Sequence, residues 1–190
     1  MRLPLCLAVL ASFASPAVAQ EEYEGTDIAK PQCELSANWR VIATELGDMP
    51  GMTMAINKRD ASGKPDCKST GETPDFMVGG PEQALWFTFL SADYLVMARS
   101  TGPVGNVVIQ NLSDKSIVVD VVSNDSQADS WGVTYREQKE AATAENCPEF
   151  ADFTAQGFTA VIAHEMRFDF ASKTSLSSGK TTCEPVQLKR

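Results

Sequence analysis

The sequence predicts a mainly β fold, a β-rich α+β domain in which antiparallel strands follow one another as a meander. Between residues 85 and 136, five short runs rich in β-branched and aromatic residues alternate with turn signals. The connecting turns, rich in Gly, Pro, Asn and Asp, are too short to hold crossover helices, so consecutive strands must pair antiparallel. We expect the meander to form a sandwich or a partly open barrel.

The five runs of the meander carry different patterns. The run 117–122 is apolar on both of its faces apart from Asp120, and a strand of this kind requires cover on both sides. We expect Asp120 to lie at a sheet edge, where a charge guards against aggregation. The five runs are 85–90, 94–98, 106–110, 117–122 and 131–135.

Two shorter strands are expected upstream of the meander, over 39–44 and 52–56. The stretch 57–80 contains many Gly, Pro, Asp, Ser and Lys residues, which indicates a long loop. Loops of this length in compact domains are usually functional or partly disordered.

One short helix is expected near 147–157, downstream of the meander. Pro148 suits a first helical position, and Gly157 suits a helix end. Alternating apolar residues over 158–170 predict a long strand with one buried face, with a helix over 159–166 as the alternative. A last strand is expected over 180–188.

Residues 1–19 are typical of a secretory signal peptide. Arg2 precedes an apolar stretch, and Ala17-Val18-Ala19 forms a small-x-small cleavage site. Cleavage between Ala19 and Gln20 would leave a flexible mature N-terminus over 20–32 and a single domain over 33–190. The protein would then be periplasmic or secreted, without a membrane span.

Four cysteines remain after that cleavage, two before the meander and two after it. Four cysteines in an exported chain indicate two disulfides with three possible connectivities. We favour Cys33–Cys67 and Cys147–Cys183. Zinc is the alternative, but the chain has no Cys-x-x-Cys pair and a single histidine.

The charge of the chain restricts its partners. With 25 acidic and 16 basic residues, the formal net charge is −9, which argues against nucleic acid and against anionic membranes. We expect a monomer that binds an unidentified protein or small ligand, and the acidity favours a basic partner.

No catalytic constellation is evident, and we expect neither catalytic nor cofactor-binding residues. His164 is the only histidine and falls on the apolar face of its predicted strand, so any serine triad would have to use it. There is no Gly-x-Ser-x-Gly element, and Thr174 occupies the first glycine position of a phosphate loop. The sequence therefore predicts an exported, non-catalytic binding protein of the periplasm or cell envelope.

A methionine cluster suggests an alternative function. Met49, Met52 and Met54 form a Met-x-x-Met-x-Met segment, and thioethers are soft ligands that select Cu(I). The segment resembles that of small periplasmic copper-binding barrel proteins, a resemblance that implies Cu(I) binding through these residues. The competing interpretation is that the methionines fill an irregular core gap beside a turn.

A second alternative comes from Ser178-Gly179-Lys180. This segment resembles the Ser-Gly element of periplasmic lysozyme inhibitors. The resemblance implies an inhibitor of a basic, wall-degrading enzyme, which is a partner that an acidic protein would attract.

Overall fold

The computed structural model describes residues 30–102 and 104–187. The predicted signal peptide and most of the expected flexible N-terminus lie outside these ranges. Within them the chain forms twelve strands, with one short helix, α1 (Phe150–Ala155), between the tenth and eleventh. The strands are β1 (Gln32–Leu35), β2 (Trp39–Glu45), β3 (Met52–Lys58), β4 (Phe76–Gly79), β5 (Leu85–Leu90), β6 (Tyr94–Arg99), β7 (Asn106–Asn111), β8 (Ile117–Val122), β9 (Ser126–Ala128), β10 (Gly132–Ala141), β11 (Phe158–Asp169) and β12 (Thr174–Gln187).

The strands form three four-stranded antiparallel sheets, each of them a meander. The N-terminal sheet has the order β1-β2-β3-β4, the central sheet β5-β6-β7-β8, and the C-terminal sheet β12-β11-β10-β9. The mainly β prediction is confirmed, and the described strands do not close into a barrel. The run 131–135, predicted as part of the central meander, instead contributes to β10 of the C-terminal sheet.

The central sheet is covered on both of its faces along β6 and β7. On one face, Leu95, Met97 and Val108 pack among buried side chains of the N-terminal sheet. On the other face, Val96 and Ile109 pack among side chains of the C-terminal sheet. The protein therefore has three layers, because apolar residues on both faces of a strand must be removed from water on both sides.

β8 is the exception, because it is an edge strand of the central sheet. Val119 is buried, whereas Ile117, Val118 and Val122 are 50%, 38% and 37% exposed. The prediction that this run is covered on both faces is wrong, since the N-terminal sheet does not extend over it. Asp120 does lie at a sheet edge, as predicted.

Arg40 organises the long loop between β3 and β4. Its side chain is only 2% exposed, and its Nη2 donates to Oδ1 of Asn57 at 2.7 Å. Its Nη1 donates to the carbonyl oxygens of Asp66 and Ser69 at 3.0 and 3.3 Å. Nη1 also lies 3.1 Å from a carboxylate oxygen of Glu72. One buried cation on β2 therefore satisfies acceptors along much of this loop.

Asp93 links the turns at one end of the N-terminal and central sheets. Its Oδ1 accepts hydrogen bonds from Nε1 of Trp39 and Nδ2 of Asn38, both at 3.0 Å, and from Oγ of Ser113 at 3.3 Å. Burial raises the pKa of this carboxyl, but the three hydrogen bonds outweigh burial and hold the pKa below its usual value.

Two buried tyrosines lie between the central and C-terminal sheets. The Tyr94 ring stacks on Phe170 with centroids 4.9 Å apart and meets Phe168 edge-on at 5.4 Å. Its hydroxyl is buried without a hydrogen-bond partner among the described residues. By contrast, the Tyr135 hydroxyl lies 3.0 Å from Oγ of Ser175. Burial raises the pKa of both tyrosines.

Both expected disulfides are present. Cys33–Cys67 joins β1 to the long loop, and Cys147–Cys183 joins the segment before α1 to β12. Phe150 and Phe153 of α1 pack beside the second bond, against β11, as the helix prediction expected. Two disulfides indicate an oxidising, extracytoplasmic location. None of the helical structure in the described ranges is long and apolar enough to cross a membrane.

Several strands were not expected. β4 lies inside the predicted loop 57–80, and four residues are too few for a periodic pattern to appear. β10 continues through polar residues to Ala141, and β12 begins at Thr174 in a region expected to be a turn. Both strands pair with β11 over most of its length. Their extent is therefore set by pairing with β11 rather than by local propensity.

Candidate functional site

An open groove lies where the N-terminal sheet ends over the central sheet. It encloses about 430 Å³. One wall is formed by β4 and the segment that follows it, the floor by β6 and β7, and the far lip by the start of β8. We call this feature the lateral groove.

The lining of the lateral groove combines apolar and polar side chains, and polar atoms form the larger part of its exposed surface. The polar ones are Glu82, Gln83, Arg99 and Gln110. The size of the groove is in the range of small-molecule sites, in which a few polar groups fix the orientation of the ligand. The apolar lining residues are Met77, Val78, Leu85, Met97, Val108 and Ile117.

A glycine turn at the end of β4 shapes the upper rim. Gly79 has a φ of +84°, and a Cβ built on it would lie only 2.2 Å from the carbonyl oxygen of Met52. Only glycine fits this position. The chain then turns back, with the Gln83 amide donating to the carbonyl oxygen of Gly80 at 3.1 Å. This turn brings Glu82 and Gln83 to the rim of the groove.

Gln110 is the most unusual residue of the site. It is 8% exposed and sits at a register shift between β7 and β8. Its Nε2 donates to the carbonyl oxygen of Lys115 at 2.9 Å. Its Oε1 is buried and has no hydrogen-bond partner among the described residues. Buried polar atoms nearly always have partners, so this acceptor requires an explanation.

Arg99 brings no uncompensated charge to the groove. It forms an ion pair with Asp120, its Nη1 lying 2.9 and 2.8 Å from the two carboxylate oxygens. Nδ2 of Asn106 also donates to Asp120 at 2.7 Å. At the opposite end of β7, Nζ of Lys115 lies 4.6 Å from the ring centroid of Phe76. Contacts between side chains of neighbouring elements therefore fix both ends of the groove.

The three methionines predicted as copper ligands occupy different environments. Met54 is fully buried in the core between the N-terminal and central sheets, and Met52 packs against the same core. The Met52 sulfur accepts a hydrogen bond from the Phe87 amide at 3.4 Å, while Met49 is half-exposed in the β2–β3 turn. Met52 and Met54 thus serve as core packing, and Cu(I) binding stays a prediction.

His164 lies on β11 in the C-terminal sheet, whereas the lateral groove lies between the other two sheets. Its ring is partly exposed, and Nε2 lies 3.3 Å from a carboxylate oxygen of Glu140. This pair is a surface contact between neighbouring strands.

The Ser178-Gly179-Lys180 segment forms a bulge on the edge strand β12. The register jumps across it, so that these three residues face the single residue Glu165 on β11. Nζ of Lys180 lies 3.2 Å from the Glu165 carboxylate. Hydrogen bonds from Ser178 and Lys180 hold the pKa of Glu165 below its usual value. The segment is exposed to solvent.

The groove residues were not predicted as a site from the sequence. The one local signal was Gln110, a polar residue at the end of the apolar run 106–110. No protein-family model, curated protein or solved structure matches the chain. The functional conclusion therefore depends on the groove itself.

Proposed function

We propose that this protein is an exported, non-catalytic binding protein and that the lateral groove holds its ligand. The observation that supports this most directly is that Gln110 lines the groove while its Oε1 is buried without a hydrogen-bond partner among the described residues. Once this side chain turns towards the groove, a ligand with an N–H or O–H group would satisfy the acceptor. It would thereby offset a burial penalty of about 1–3 kcal/mol.

The lining limits the chemistry of the ligand. Because Arg99 is already neutralised by Asp120, the groove floor offers no free charge to an ionic ligand. The rest of the lining combines apolar side chains with the amides of Gln83 and Gln110, and Glu82 adds a carboxylate at the rim. The ligand would therefore present an apolar body and at least one hydrogen-bond donor, and a volume of about 430 Å³ is in the range of small-molecule sites.

Export is supported by two independent features. The N-terminal sequence has the three parts of a signal peptide with a cleavage site between Ala19 and Gln20. The two disulfides require an oxidising compartment to persist. Both features support a periplasmic or secreted location.

A fragment screen on ¹⁵N-labelled protein tests the groove as a ligand site. We expect apolar fragments with an N–H or O–H donor to shift the amide resonances of Met77, Gly79 and Gln110. Gln110→Leu should weaken these fragments by about tenfold, the equivalent of one hydrogen bond. The matched control is Gln138→Leu on β10, which should leave the affinity unchanged.

Two results would count against this function. One is a screen in which no fragment shifts the groove resonances. The other is a Gln110→Leu variant that folds normally and binds the fragments as the wild type does.

Inhibition of a wall-degrading enzyme is the second candidate function. It is favoured by the bulge at Ser178-Gly179-Lys180, which is exposed at a sheet edge with Gly179 at a φ of +80°. Lysozyme activity should fall when the protein is added, and Gly179→Trp should relieve the inhibition by blocking approach to the bulge. Full lysozyme activity at a large excess of wild-type protein would exclude this candidate.

A further inference from the structure

β4, which forms one wall of the lateral groove, is also a free sheet edge. Among the strands of the described ranges, it pairs with β3 alone. The Gly80 amide donates to the carbonyl oxygen of Met52 at 3.2 Å. Because hydrogen-bonding groups alternate in an antiparallel ladder, Val78 and Gly80 direct their backbone groups towards β3. Met77 then directs its N–H and C=O groups outward.

Exposed apolar side chains occur on β4 and on the edge strand β8, and two of them, Met77 and Ile117, line the lateral groove together. Met77 is 54% exposed, and Ile117, Val118 and Val122 on the neighbouring margin of the central sheet are each more than a third exposed. Four of the eight large exposed apolar residues in the described ranges therefore belong to β4 and β8. Clusters of this kind mark interaction sites.

We propose that the ligand of the lateral groove is an extended peptide segment of a partner protein, which adds to β4 as a fifth strand. This inference rests on the proposed function, whose ligand it specifies. Neighbouring strands lie about 4.8 Å apart, so one added strand would continue the N-terminal layer over β8. Its alternate side chains would point onto the central sheet, and one of them would carry the donor for Gln110.

Charge around β4 selects the kind of peptide, because two carboxylates flank the strand whereas one cation, Lys115, lies over the Phe76 ring at its start. Asp75 immediately precedes the strand and Glu82 follows it, and both are exposed. The whole chain carries a formal charge of −9. The matching segment therefore has apolar residues at alternate positions and lysine or arginine at its flanks. The same acidic residues disfavour pairing of β4 with β4 of a second copy, because like charges would meet across the interface.

Selection from a library of displayed random twelve-residue peptides tests this proposal on the oxidised mature chain. We expect enrichment of sequences with alternating apolar residues and basic flanks. Enriched peptides, synthesised with a fluorophore, are then measured by fluorescence anisotropy against two variants at one position.

Met77→Pro and Met77→Ala form the decisive pair. Both remove the methionine side chain, but only proline removes the outward N–H that an added strand would use. Proline is tolerated on an edge strand when its missing N–H faces solvent. We expect Met77→Ala to bind within about threefold of the wild type. Met77→Pro should bind at least about tenfold more weakly, because a backbone hydrogen bond is lost.

A second measurement on the wild-type protein makes the test independent of how Met77→Pro folds. Methylating the backbone nitrogens of an enriched peptide one at a time should weaken binding at every second residue, because only alternate N–H groups of an added strand face β4. A pattern without this period would overturn the proposal.

The other possible outcomes of these experiments also test strand addition. Equal binding to the two Met77 variants, or no enrichment from the library, overturns strand addition. A wild-type dimer in sedimentation that becomes monomeric in Met77→Pro assigns the edge to a second copy instead. If donor-bearing fragments still shift the groove resonances when no peptide binds, only this inference fails. If neither fragments nor peptides bind, the proposed function fails with it.

Discussion

Replacing Arg40 by methionine is predicted to destabilise the native state by about 3 kcal/mol. The largest part comes from Oδ1 of Asn57, a residue that is itself buried, because an orphaned buried acceptor costs about 1–3 kcal/mol. The carbonyl oxygens of Asp66 and Ser69 are partly buried, and losing each hydrogen bond costs roughly 0.5–1.5 kcal/mol. Glu72 adds roughly 0–1 kcal/mol, because it is 40% exposed and can rehydrate.

Urea unfolding of the oxidised protein, followed by tryptophan fluorescence, measures this change as a shift in the midpoint at constant slope. Arg99→Met is the matched control. It removes an equally short ion pair, to Asp120, but both partners of that pair are at least one-third exposed. We expect the control to change the free energy of unfolding by only about 0–1 kcal/mol.

Amide hydrogen exchange provides a second readout of Arg40→Met. The amides of the loop between β3 and β4 should exchange faster in this variant, whereas those of β6 and β7 should keep the order of protection they have in the wild type. If Arg40→Met and Arg99→Met shift the urea midpoint equally, Arg40 does not organise the loop and the reasoning is refuted.

Three further predictions use the same urea assay. Tyr94→Phe should leave the free energy of unfolding unchanged or raise it, because it removes a buried hydroxyl that has no hydrogen-bond partner among the described residues. Tyr135→Phe should lower the free energy of unfolding by about 1 kcal/mol, because it removes a hydrogen bond to Ser175. An equal loss of stability in the two variants would contradict this prediction. Asp93 has a lowered folded-state pKa, so its stabilisation is complete above the unfolded pKa of about 3.9 and is lost as pH falls through the folded value. Asp93→Asn should therefore lose less stability than the wild type as the pH falls below about 4, and equal losses would show that the carboxylate is not linked to folding. The double variant Cys147→Ser/Cys183→Ser removes a disulfide that spans 36 residues. It should lower the free energy of unfolding by about 4 kcal/mol in the chain-entropy model. A loss below about 1 kcal/mol would contradict that model for this disulfide.

Local sequence patterns were sufficient for the elements that have strong periodicity or strong apolar runs. The alternation over 158–170 correctly predicted β11, and the β-branched runs correctly predicted β5 to β8. The distribution of cysteines on either side of the meander identified both disulfides. In each case the signal lies within a few tens of residues of the chain. It is the hydrophobic periodicity for β11, the turn residues between runs for β5 to β8, and the spacing of cysteines for the disulfides.

The lateral groove could not be predicted in the same way, because it depends on how two sheets overlap. Met77 and Gln110 are 33 positions apart in the chain, and each lies in a segment whose own pattern says nothing about the other. The residues of β4 were predicted to be part of a loop, so no strand was expected at the wall of the groove. Gln110 is buried because it lies on the same face of β7 as Val108, which packs among side chains of the N-terminal sheet. That cover comes from another sheet and leaves no trace in the local sequence.

The failed prediction for β8 bears directly on function. The sequence of β8 has apolar residues on both faces. This pattern is unfavourable in an edge strand exposed to solvent, because an apolar edge promotes aggregation. Asp120 is the one charge on the strand, and it is paired with Arg99. Ile117, Val118 and Val122 are left exposed, and Ile117 lies across the lateral groove from the outer edge of β4. The pattern and the position agree if the missing cover is supplied by another molecule. An added strand at β4 is the smallest structure that would supply this cover, since it pairs the free backbone edge and buries exposed apolar side chains in the same step.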